Sequence, residues 1–90
     1  MANFFENIEP ETAEEIDQLS RLIYELRENH NRVLSPYDAE DGAALLQRIQ
    51  DGAVAEHPAY EHYLAARILA DTRETVREVL RERLQEVNRT

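Results

Sequence analysis

Between residues 16 and 33 the apolar side chains stand at Ile16, Leu19, Ile23, Leu26 and Val33, and His30 takes one place in the same 3-4-3-4-3 row. That spacing is a coiled-coil-like seam on one face of a helix. Leu22 widens it, while Glu14, Arg21, Glu25, Glu28 and Arg32 fall on the opposite side. The row predicts a first helix over about 12–33. Thr12 and Glu15 have the spacing of a capping box, and Pro10 offers an alternative start at the first helical position. Glu11, Glu14, Glu15 and Asp17 crowd this end, where the helix dipole favours acids.

Leu45, Leu46 and Ile49 form the apolar edge of a short helix over about 39–50, with Asp38 placed to cap it and Gly52 to end it. A third helix follows from Pro58 to Asn88 without an internal breaker. Its expected inner face is Ala65, Ile68, Leu69, Thr72, Val76, Val79, Leu80 and Val87. Glu74, Glu78 and Glu82 flank that face on one side and Arg73, Arg77 and Arg81 on the other, so Glu74–Arg77 and Glu78–Arg81 form i,i+3 pairs. Tyr60, Tyr63 and Leu64 point elsewhere and make a second, aromatic face. No stretch alternates with period two, so the expected class is all-α.

The two long helices are unequal, roughly 33 Å against 46 Å at 1.5 Å per residue. Packed antiparallel, the first leaves part of the third uncovered, and the second helix is too short to cover the rest. Two such hairpins closing into a four-helix-type bundle would bury the remainder. The expectation is therefore a homodimer with Leu19, Ile23, Leu26, His30, Val76, Val79 and Leu80 at its interface. Residues 1–11 precede the helices as an arm carrying Phe4, Phe5 and Ile8, and the 90 residues form one domain. The arm either clasps its own bundle or, with Tyr60 and Tyr63, offers an anchor to a partner.

Charge changes this picture next. The chain carries 19 acids and 10 arginines, a net of −9, and no lysine. Residues 1–41 hold 11 of the acids and 3 of the arginines, a net of −8, so the acidity belongs to the first half. Codon bias or adaptation to salt would each explain arginine without lysine. Such a balance opposes direct contact with nucleic acid or anionic membranes. No apolar run is long enough to span a bilayer, and the N-terminus lacks the pattern of a secretory signal. A cytoplasmic location is the expectation.

Candidate chemistry is thin. The absence of cysteine removes disulfide scaffolds, thiolate metal sites and thiol nucleophiles. Two serines in no nucleophile motif and two glycines in no phosphate loop argue against an enzyme. His57 and Glu61 are spaced to share a helix face and are the metal candidates, although two ligands define no site, and no cofactor is expected. His30 on an apolar seam reads as a core or interface histidine; the functional alternative is a pH-sensitive interface. The acids of residues 34–42 cap the second helix or join Glu9, Glu11 and Glu14 in docking a basic partner. The expected function is a small acidic, non-enzymatic, homo-oligomeric protein–protein interaction protein: an adaptor, a chaperone-like factor or a regulatory subunit. The alternatives are an acidic nucleic-acid mimic that inhibits a DNA- or RNA-binding protein, and a His/carboxylate metal-binding helical bundle.

Overall fold

The computed structural model describes residues 8–88. They form α1 (Pro10–Leu34), a single 3-10 turn (Ser35–Tyr37), α2 (Gly42–Gln50) and α3 (Glu56–Asn88), with no strand among the described residues. α1 and α3 are antiparallel, forming a hairpin in a body of 55 × 21 × 18 Å. Glu15 near the start of α1 meets Arg83 near the end of α3, and Leu34 at the end of α1 meets Ala59 and Ala66 in the first half of α3.

Local chemistry sets the helix ends. Pro10 is the first helical residue and Glu9 the N-cap, with no side-chain capping bond. The Thr12–Glu15 capping box therefore does not form. The fixed φ of proline starts the helix two residues earlier and places Thr12 inside it. α1 tightens into the 3-10 turn and stops at Asp38, whose backbone is left-handed at φ 53°. Asp38 thus cannot cap α2, and Asp41 does so instead, its Oδ1 accepting the Ala44 N–H at 2.8 Å. Consequently α2 starts at Gly42 and not near residue 39. Replacing Asp41 by Ala is expected to cost about 1 kcal/mol. The urea midpoint measures this, and an unchanged midpoint would refute the cap.

α2 closes with a double bond pattern. The Gly52 N–H reaches the Ile49 carbonyl at 3.1 Å and the Ala53 N–H the Arg48 carbonyl at 2.9 Å. Gly52 sits at φ 75°, a conformation that costs glycine little. His57 is extended (φ −108°, ψ 131°), as a residue before proline should be, so the regular part of α3 starts at Pro58. The His57–Pro58 peptide is cis.

The closed end of the hairpin contains three layers. Leu34, Leu45, Ala59 and Ala66 are buried together, ringed by Val33, Tyr37, Ala39, Ile49, Val54 and Tyr63. Tyr37 and Val54 thus pack against a cluster that includes Ala59 in the first turn of α3. Toward the open end only α1 and α3 remain, and Ile16 and Leu26 are the buried residues there. The expected interface residues lie along this seam. Leu26 and His30 are buried within the chain, and Leu19, Ile23, Val76, Val79 and Leu80 are half-buried.

The inner face of α3 is turned relative to the expected one. Ala59 and Ala66 are its buried residues, whereas Ile68 is 65% exposed and Thr72 is also exposed. Alanines let the three helices approach closely, and a reading weighted toward large apolar side chains misplaces such a face.

Candidate interaction surface

Turning α3 this way leaves a row of apolar side chains on its outer side. Tyr60, Leu64 and Ile68 are 40%, 38% and 65% exposed. They stand at i, i+4 and i+8, so they form one ridge, and at 100° per residue it lies far round the helix from Ala59 and Ala66. Tyr63, one helical residue from Leu64, leans inward on the core cluster. Its ring stays 5.8 Å from that of Tyr60, linking ridge to core. Ile68, whose spacing predicts a place on the inner face, is the most exposed large apolar residue of the ridge. Polar residues border the row: Glu61, Arg67 and Asp71, all exposed.

The histidines separate into three environments. His57 Nδ1 lies 3.2 Å from Glu61 Oε1, and both side chains are largely exposed. No third ligand joins them, and no group of three or more His, Cys, Asp or Glu capable of holding a metal occurs among the described residues. His62 hydrogen-bonds through Nδ1 with the Tyr37 hydroxyl, tying the 3-10 turn to α3. His30 is buried, with Nδ1 3.4 Å from Asn31 Oδ1. It lines a cleft of about 320 Å³ together with Asp41, Leu46, Tyr63, Arg67 and Asp71. That cleft mixes one arginine with two aspartates.

Arginines depart furthest from the expected pattern. Glu74–Arg77 and Glu78–Arg81 do not pair; the ion pairs among the described residues are Arg21–Asp17, His57–Glu61, Arg83–Glu15 and Arg83–Glu86. Arg83 bridges the open end of the hairpin, donating from Nε to Glu15 at 2.7 Å and from NH1 to Glu86 at 3.3 Å. The bond to Glu15, its charge and then the same contributions from Glu86 raise the Arg83 pKa above the ordinary arginine value. Arg73, expected on an outer stripe, is half-buried, and its Nε is sealed from solvent without a hydrogen-bond partner.

A second open surface lies between α1 and α3 beyond the reach of α2. Ile23, Leu80 and Leu84 line a groove of about 370 Å³ with Arg77 and Arg81 beside them. Glu9, Glu11 and Glu14 sit at one end of α1 and the 38–41 acids beyond its other end. About 30 Å of helix lies between Glu14 and Leu34, so they do not make one docking surface. Phe4 and Phe5 lie outside the described residues, and Ile8, the first described, is half-buried.

Among the described residues, no helix is long and apolar enough to cross a membrane. Residues 10–88 match the model of the uncharacterized protein MJ0235 family, and the chain belongs to that family. Neither the curated proteins nor the solved structures contain a match.

Proposed function

We propose that this member of the MJ0235 family is a non-enzymatic helical interaction protein that pairs with a second copy of itself through α3. The Tyr60–Leu64–Ile68 ridge carries the reading, because three large apolar side chains in one row are exposed on the face turned away from the chain's own core. A row at i±4 spacing packs beside the same row of another helix at a crossing near 50°. Charge favours a second copy as the occupant. The acidity is concentrated in residues 1–41, which include α1. Pairing through the outer side of α3 keeps the two acidic helices far apart, beyond the ~8 Å screening length of physiological salt. The exposed acids of α1 then remain available to a basic protein partner.

Sedimentation equilibrium tests the pairing. The wild-type chain is expected to be dimeric at about 100 μM, a concentration suited to a small, partly polar contact. Ile68→Glu should be monomeric with an unchanged helical spectrum, because an exposed side chain contributes little to folding. A wild-type chain that remains monomeric, or an Ile68→Glu dimer of undiminished strength, would overturn the reading.

A further inference from the structure

The groove at Ile23, Leu80 and Leu84 is on a different face from the ridge, and its chemistry points to a different occupant. We propose that it is the docking site of this chain's own N-terminal segment, with Phe4 and Phe5 seated on Leu80 and Leu84 and Glu6 beside Arg81.

Three observations support the assignment. The first is position. Leu84 lies four residues from Asn88 at the end of α3, about 6 Å along the axis. The Glu15–Arg83 bond places that end of α3 beside the start of α1. The six residues from Phe4 to Pro10 span up to about 20 Å, enough to return from Pro10 to Leu84 and on toward Leu80. The second is the partial burial of Ile8, the first described residue, just before α1. The third is charge. Arg77 and Arg81 have no ion-pair partner among the described residues, although Glu74 and Glu78 are within helical reach. Residues 1–9 read Met-Ala-Asn-Phe-Phe-Glu-Asn-Ile-Glu, with two aromatics, two acids and no basic side chain. An apolar floor with a cationic rim suits that composition.

The absence of cysteine makes the contact directly measurable in the full chain. Phe4→Cys combined with Leu84→Cys, at about 1 μM in a glutathione buffer, is expected to close an intramolecular disulfide about tenfold more readily than Phe4→Cys with Ile68→Cys. In urea the advantage should vanish, since the two loops are of similar length. Adding Arg77→Glu and Arg81→Glu should reduce it in buffer. Equal closure of the two pairs, predominance of disulfide-linked dimers, or an advantage indifferent to charge reversal would each overturn the proposal. The unmodified chain provides a second reading. Nuclear Overhauser effects between the Phe4 and Phe5 rings and the Leu80 and Leu84 methyls, confined to one chain in an isotope-mixed sample, are expected; their absence refutes the docking.

Discussion

Replacing Leu45 by Ala is expected to destabilise the fold by about 3 kcal/mol, within the 2–5 kcal/mol of buried Leu→Ala changes. Leu45 is fully buried and belongs to the cluster that joins α1 through Leu34 and α3 through Ala59 and Ala66. α2 has only 9 residues, too few to persist as an isolated helix in water. Its stability therefore rests on this packing together with its caps. A chain of 90 residues has a total stability of roughly 5–13 kcal/mol, so the variant loses a large share of it. Guanidinium unfolding reads the loss directly, and amide exchange should show α2 opening first. Leu22→Ala, at a position 40% exposed, serves as the comparison, with an expected change within about 0.5 kcal/mol. A Leu45→Ala loss below about 1 kcal/mol would mean that the three-layer end can collapse around the deletion.

A gain is expected at Arg73. Its Nε is buried without a hydrogen-bond partner, and a donor in that position costs about 1–3 kcal/mol in desolvation. Met reproduces the unbranched stem without polar atoms and adapts to irregular space. Arg73→Met should therefore stabilise the chain by about 1 kcal/mol, raising Tm by about 4–8 °C for a domain of this size. Arg67→Met is the control, an exposed position outside the groove where the expected change is within about 0.5 kcal/mol. Calorimetry of both variants decides the matter. A lower Tm for Arg73→Met would show that the remaining guanidinium nitrogens contribute more than the sealed Nε costs.

The candidate surface was only partly legible in the pattern of residues. Tyr60 and Leu64 stand out because they fall off the periodic face of α3, and both are exposed. Ile68 could not be identified in the same way. It fits the periodic row that includes Leu69, Val76 and Leu80, and only the packing of Ala59 and Ala66 turns it outward. Tyr63 is the converse case: its place beside Tyr60 suggests exposure, yet it is half-buried and packs against the core cluster. Arg73 carried no sequence signal of burial, since its neighbours Glu74, Arg77 and Glu78 describe an ordinary charged face.

By itself the sequence determined the local facts: helices without strands, breaks near 34–38 and 51–57, a stop at Gly52, and a boundary at His57-Pro58. Each follows from backbone chemistry within a few residues, through proline and glycine geometry, capping oxygens and periodicity. Tertiary structure alone decided which aspartate caps α2, which face of α3 turns inward, and how one chain fills its own seam. These depend on contacts such as Leu34 with Ala59 and Ala66, between residues far apart in the chain. Small side chains there permit close approach, and the larger apolar residues of the same helix are left to face solvent.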